Sequence, residues 1–363
     1  VIVRRSLAAV ALALSLGGAA SGADDQVNIY NWEDYIGRNT IPEFEKQTGI
    51  KVVYDTFGKE SEVDRRVATG ESGYDIVVTS AAFYARQIRA GAYQPLDKTL
   101  LPNWRYLDPR ILAAQARFDP DNRFAVPYMH GVAGIAFDRD KVLARLPNAP
   151  TDSLDLVFKP QIVAHFADCG VTMFDSAEDA LELALNYLHL DPNTRRPEDY
   201  EQARKLLMAV RPYISGFGSV AYVDTLASGK ICLGLFWAGD FAIAKTRAAE
   251  TGIKVNLAFS LPREGSGEWY DSLLIPKGAP HPAAAHAFLN FLMEPKVIAE
   301  ITNELHYANG NKAASAFVLP DILNDPALNP APELERNIYQ ALETDEATAR
   351  LRERIWAKIK TGD

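Results

Sequence analysis

The sequence predicts an α/β protein of two lobes, with mainly parallel sheets, helices on both faces and a ligand cleft between the lobes. Three observations lead there. Strand-like and helix-like segments alternate, the pattern of parallel sheets covered by helices. Residues 75–79, DIVVT, are a continuous apolar run, the mark of a strand buried on both faces. The alternation comes as two series, the second starting near residue 126, in a chain of 363 residues, long enough for two ordinary domains.

Ahead of the first strand, Arg4 and Arg5 precede an apolar run from Leu7 to Leu16 and the small residues Ser21, Gly22 and Ala23. This describes a secretory signal peptide over residues 1–23, too short to span a bilayer. Cleavage after Ala23 leaves 340 residues, exported to the periplasm. No cysteine adjoins that site, so no lipid anchor is expected. In the first series Val27 to Tyr30 alternates as a strand. Thr40 to Thr48 reads as a helix, with Pro42 near its start and Gly49 as its stop. A strand at Ile50 to Tyr54, a short helix at Ser61 to Ala68 ended by Gly70, and the strand Asp75 to Thr79 follow. A helix at Ala81 to Ala90 stops at Gly91.

The second series opens at residues 126–137, VPYMHGVAGIAF, where Gly131 and Gly134 flank a fresh strand. It runs through a helix at Lys141 to Leu146, apolar positions at Ile162 and Val171, and helices at Ala177 to Leu188 and Tyr200 to Val210. A strand at Ile231 to Phe236 and later strands at Val255 to Phe259 and Tyr270 to Ile275 follow. Helices are expected at Pro282 to Leu292 and Pro295 to Glu304, and Pro332 to Lys360 reads as charged helix. No long linker separates the series, so the lobes should lie close, joined by short crossovers. Open α/β sheets take ligands at the carboxyl ends of their strands. Two such ends facing each other make a cleft.

Charge and cysteine count narrow the function. Loss of Arg4 and Arg5 moves the formal net charge from −9 to −11. That argues against nucleic acid, which needs a basic face, and suits a cationic ligand. Cys169 and Cys232 are the two cysteines. In an oxidising compartment the expectation is one disulfide closing a loop of about 60 residues. Two buried thiols are the alternative, because sequence does not show the Cα atoms close together.

Catalytic signatures are missing. There is no phosphate-binding glycine loop, no H-E-x-x-H and no G-x-S-x-G elbow, and the six histidines show no metal-ligand spacing. DPDNRF at residues 119–124 lacks the glycine and distal glutamate of a calcium loop and reads as a polar turn. What recurs is an aromatic ring beside a carboxylate near strand ends: Trp32 with Asp34 and Tyr35, Trp237 with Asp240, Trp269 with Asp271. Asp179 opens a helix, and Tyr307 lies in HYANGN. Singly, each aspartate is an ordinary helix-start residue and each tryptophan an ordinary core residue. The repetition is what capping does not explain. Aromatic faces attract cations and accept methylene chains, and carboxylates bind ammonium by charge-assisted hydrogen bonds. Together they suit a linear molecule with an apolar chain and positive ends.

At these residues the chain resembles the polyamine-binding proteins of bacterial ABC importers, especially the putrescine-type members. The likeness covers the mature chain and includes IYNWEDYI, EFEKQTGIKVVYDTF, YDIVVTSAAF, FAVPYMHGVAGIAF, ASGKICLGLFWAGD and YANGNKAA. It implies a two-lobed periplasmic-binding-protein fold of type II. Residues 24–130 and 255–305 would form one lobe, and 131–254 with 306–363 the other. It implies a site of Trp32, Tyr35, Ser80, Asp179, Ser219, Trp237, Asp240, Trp269, Asp271 and Tyr307. In the family the WAGD-type and EWYD-type acids bind ammonium groups, rings flank the methylene chain, and the two cysteines pair. Four positions depart from the pattern or add to it. Asp179 stands where glutamate is usual, and His130 replaces the tryptophan common after PYM. Glu33, beside Asp34, stands where a small hydroxyl residue is frequent. Ser176 lacks the acid of triamine binders, whereas Trp269 is similar to theirs, so putrescine and spermidine both stay open. The resemblance implies no cofactor, no metal and no catalysis. The expected partners are a polyamine and an inner-membrane ABC permease, with the protein a monomer. Agmatine, an amino acid, a quaternary amine or, through His306 and Tyr307, ferric ion are alternative ligands. An exported hydrolase using Asp179 or Asp240 as general base has no nucleophile–base spacing behind it.

Overall fold

The computed structural model describes residues 25–218, 221–325, 328, 334 and 336–363. The expected signal peptide, residues 1–23, lies outside them. The first half of the protein is built on β1 (Gln26–Trp32), β2 (Lys51–Phe57) and β3 (Ile76–Ser80), with β1 parallel to both others. Successive side chains of a strand face opposite ways, and here each face has its own core. Val27, Ile29, Ile76 and Val78 pack on one side with Phe44 of α1 (Thr40–Thr48). Tyr30 and Val77 pack on the other with Val63 and Val67 of α2 (Glu60–Val67) and Tyr84 of α3 (Ala81–Arg89). The continuous apolar run DIVVT is thus a strand covered on both faces, as its composition demands.

The long strand β4 (Ala125–Asp138) crosses to the second half. That half holds β5 (Val171–Phe174), β6 (Gly216–Gly218) and β7 (Leu233–Trp237), with β5 parallel to its neighbours. Three of its helices matter for the site: α4 (Ala177–Tyr187), α5 (Pro197–Val210) and α6 (Ala221–Ala227). A fourth, α7 (Ala238–Thr251), follows β7 directly. Then β8 (Leu257–Ser260) pairs with the end of β4, and β9 (Gly267–Leu274) returns to the first half, antiparallel to β3 and to the start of β4. The sheet is therefore mixed, parallel on its outer strands and antiparallel where the chain crosses. Helices α8 (Pro282–Leu292) and α9 (Pro295–Leu305) cover the first half, and β10 (Ala308–Asn309) pairs with β4.

Two segments sit in other cores than the expected lobe boundaries assign. Leu257–Ser260 lies in the second sheet, because the end of β4 offers it an open edge. Tyr307 and Ala314 pack in the first core. The C-terminal expectation is also corrected. The helix α10 spans only Glu346–Thr361, started by Asp345, whose side chain accepts the Thr348 N–H. Before it, β11 (Tyr339–Gln340) runs parallel to β9. Helix α10 closes the second core with Ile355, Trp356 and Ile359. Its Arg352, 2% exposed, bonds Glu182 at 3.0 Å and the Tyr200 hydroxyl at 2.8 Å. A buried guanidinium needs such partners. Cys169 and Cys232 are bonded, with Cα atoms 5.6 Å apart. Among the described residues no helix is long and apolar enough to cross a membrane.

Candidate ligand-binding cleft

The candidate site residues gather where strands end. Trp32 closes β1, Ser80 closes β3 and Trp237 closes β7. One crossing strand sets two indoles: on β4, Gly131 is the partner of Trp269 and Ala133 the partner of Trp237. A Cβ at Gly131 would lie 2.8 Å from the Trp269 ring, so glycine lets that indole lie against the strand. Trp237 stacks on Phe174 at 4.8 Å. Tyr307 packs edge-on to Trp269 at 5.5 Å and to Tyr35 at 5.2 Å. The backbone carbonyl of Tyr35 is held by the Tyr128 hydroxyl at 2.7 Å and the Asn31 amide at 3.1 Å. These rings form a wall running from the first half of the protein to the second.

Three carboxylates sit on this wall. Asp240, in the first turn of α7, accepts the Tyr222 hydroxyl at 2.5 Å and the Tyr307 hydroxyl at 2.6 Å. Burial raises its pKa, opposed by those two phenols. Asp271, on β9, is 7% exposed. Burial pushes its pKa up to about 7, opposed by the Tyr35 hydroxyl beside it and reinforced by the charge of Asp179. Asp179 lies half-buried in the first turn of α4, and burial raises its pKa against the pull of Ser176 and Trp237. None of the three has a Lys, Arg or His within ion-pair distance among the described residues. Among the described residues, the indole N–H groups of Trp32 and Trp269 are also buried without a partner. Buried carboxylates in proteins are ordinarily paired with a cation, so three such acids without one mark a place where a positively charged ligand completes the pairing.

The weaker candidates divide. Glu33 is exposed. Asp34, exposed and with φ of 53°, reaches Arg247 of α7 at 3.0 Å, and Arg247 also holds Asp224 at 2.9 Å. That ion pair joins the first half of the protein to the second. His130 pairs with Glu268 at 3.3 Å and stacks on Tyr270, so it packs within the crossing strands. Ser176 caps α4 by accepting the Asp179 N–H at 3.2 Å. Ser219 lies outside the described residues. Sequence reasoning missed Tyr222 and Arg247. The tyrosine and arginine carry no spacing signal, since each acts on a residue distant in sequence. Gly239 was missed as well: a Cβ there would lie 2.1 Å from the Tyr307 ring, so the glycine of WAGD admits the ring that bonds Asp240. A separate surface cavity of about 680 Å³, lined by residues such as Arg38, Glu43 and Glu304, contains none of these groups.

Two α/β halves joined by crossing strands, with a ring-walled cleft of unpaired acids between them, define a solute-binding protein. The chain belongs to the bacterial extracellular solute-binding protein family, whose model matches residues 39–330. It is 42% identical over 360 residues to the putrescine-binding periplasmic protein SpuD of Pseudomonas aeruginosa (strain UCBPP-PA14), covering 99% of this chain and 98% of that one. It is 41% identical over 358 residues to the putrescine-binding periplasmic protein PotF of Escherichia coli (strain K12), covering 98% and 96%. Among solved structures, a putative spermidine/putrescine ABC transporter protein from Listeria monocytogenes superposes with a TM-score of 0.84 at 26% identity, over 94% of this chain and all of that one. SpuD and PotF are named for binding putrescine and the Listeria protein for transport, and none of the three names describes catalysis.

Proposed function

We propose that this protein is a periplasmic polyamine receptor that captures putrescine, or a close relative such as spermidine, and presents it to an inner-membrane ABC permease. The observation that carries this reading is the set Asp179, Asp240 and Asp271, three acids with no Lys, Arg or His at ion-pair distance among the described residues, on a wall of aromatic rings. A diammonium chain supplies what they lack: positive ends for the acids and methylenes for Trp32, Trp237, Trp269, Tyr35 and Tyr307. Ser80 and Ser219 add hydroxyl acceptors. The names of the relatives favour the same ligand class.

In this reading the two halves are lobes that pivot on β4 and on the segment between β8 and β9. A ligand that bridges them favours the closed form by its extra contacts there. Tyr307, from the first core, bonds Asp240 on the second lobe, and Arg247 bridges to Asp34. Both contacts belong to closure. The receptor acts as a monomer after removal of residues 1–23. The test is a calorimetric titration of ligand-stripped protein with putrescine, spermidine, cadaverine, agmatine and arginine. Tight binding of one polyamine is expected. No binding of any polyamine by folded protein would overturn the proposal.

A further inference from the structure

Arg352, Trp356 and Lys360 recur every fourth residue along α10, so they lie on one face of it. That face grips one short segment, residues 175–182. Asp175 accepts the Trp356 indole N–H at 2.7 Å and the Lys360 ammonium at 2.8 Å. The Arg352 guanidinium lies 3.0 Å from Glu182 and 3.6 Å from Glu178. It also donates to the Tyr200 hydroxyl of α5 at 2.8 Å. Arg352 and Glu182 are 2% and 3% exposed. Burial pushes the pKa of Glu178 up to about 7 and that of Glu182 up to about 8, opposed in both by the charge of Arg352.

The segment so held carries Asp179. Asp175 directly precedes Ser176, the residue that caps α4 by accepting the Asp179 N–H at 3.2 Å. Glu178 and Glu182 stand one turn apart on α4, and on a helix Asp179 falls within about 100° of both. One edge of this face of α4 therefore meets Arg352, and Asp179 takes the other edge. No ion pair joins Asp179 to α10 among the described residues. An aspartate side chain is short, so the place of its carboxylate follows the backbone that carries it. A displacement of α4 by about 1 Å would take that carboxylate out of hydrogen-bond range of a ligand amine.

We propose that the Arg352–Trp356–Lys360 face of the C-terminal helix is a positioning clamp for Asp179: it fixes the entry and the first two turns of α4, and with them the carboxylate offered to one end of the ligand. The inference rests on the polyamine reading of the cleft. Arg352 and Lys360 act on the ligand only through the segment they hold. Their contribution to binding therefore lasts only while Asp179 is there to be placed, and such dependence appears as coupling between substitutions.

The test is a double-mutant cycle read by calorimetric titration with putrescine. Arg352→Met removes the guanidinium. Glu178 and Glu182 can then take up protons, so the change does not strand two buried charges. In the otherwise wild-type protein Arg352→Met is expected to weaken putrescine binding at least about tenfold, and with Asp179→Asn already present by less than about threefold. With Asp240→Asn already present the full loss should return, because Asp240 stands on α7, outside the segment that α10 grips. Equal losses in all three backgrounds would reduce the clamp to general support of the fold and overturn the proposal, as would no loss in the wild-type background. Thermal melting verifies that the variant folds. If it does not, Lys360→Met, at a side chain 34% exposed, takes its place. A loss of about threefold that disappears with Asp179→Asn then supports the clamp, and no loss, or one that persists, overturns it. An additive cycle in a protein that binds putrescine overturns the inference alone. A wild-type protein that binds no polyamine overturns the reading on which it stands.

Discussion

Asp240→Asn removes a charge while keeping a shape. In the structure one oxygen of Asp240 accepts from Tyr307 at 2.6 Å and the other from Tyr222 at 2.5 Å. Asparagine keeps one acceptor. One phenol therefore stays bonded, and the other can turn and accept from the new amide. What is not rebuilt is the attraction for an ammonium group. A hydrogen bond to a charged partner contributes about 1.5–3 kcal/mol net. At about 1.4 kcal/mol per tenfold, the dissociation constant for putrescine should rise by about 10- to 150-fold. The empty protein should behave oppositely. Burial holds the Asp240 pKa above its ordinary value, so at neutral pH the ionised acid opposes folding of the unliganded form. Its loss should leave the melting temperature of the empty protein unchanged or higher, while the shift that putrescine induces shrinks. Calorimetric titration and thermal melting with and without putrescine read both effects. Affinity within threefold of wild type in a folded variant would refute the assignment. So would a weaker affinity that tracks a destabilised empty protein, because Asp240 would then serve the fold rather than the ligand.

Four other outcomes are expected. Asp271 has a pKa raised to about 7 in the empty protein, whereas a bound cation favours its ionised form, so binding should release protons. Putrescine affinity should then fall as pH drops below about 7, and titrations in buffers of different ionisation enthalpy between pH 6 and 8 should show proton release. The same raised pKa makes the empty protein lose stability as pH rises from the ordinary carboxylate range to about 7, and level off above it. Gly239→Ala should leave α7 intact, since alanine favours helix by about 1 kcal/mol over glycine. It should nonetheless weaken binding about tenfold or more by driving the Tyr307 ring from Asp240, a displacement that a crystal structure of the variant would show. Arg247→Ala breaks the ion pair to Asp34, which is partly exposed and so contributes about 1 kcal/mol at most. Putrescine dissociation measured by stopped flow should speed up by no more than about fivefold, and a larger change would mean that Arg247 does more than hold the lobes together.

Much of this protein is written in local sequence. DIVVT could only be a strand covered on both faces. Thr40 to Thr48 ends where Gly49 takes a left-handed φ of 76°. The recurrence of tryptophan and aspartate at strand ends marks the acids and rings of the cleft before any tertiary contact is known. Periodicity and residue chemistry suffice there because burial and capping act over a few residues. What depends on distant contacts was not legible. Leu257–Ser260 joined the second sheet because the far end of β4 offered an edge, and the C-terminal helix begins at Glu346 because Tyr339 and Gln340 pair with β9. Tyr222 and Tyr307, 85 positions apart in the chain, meet on Asp240. The sequence alone determined which chemistry the cleft contains, because side-chain charge and aromaticity are properties of single residues. Only the tertiary structure decided which acids are left without a cation, because that depends on everything the fold packs around them.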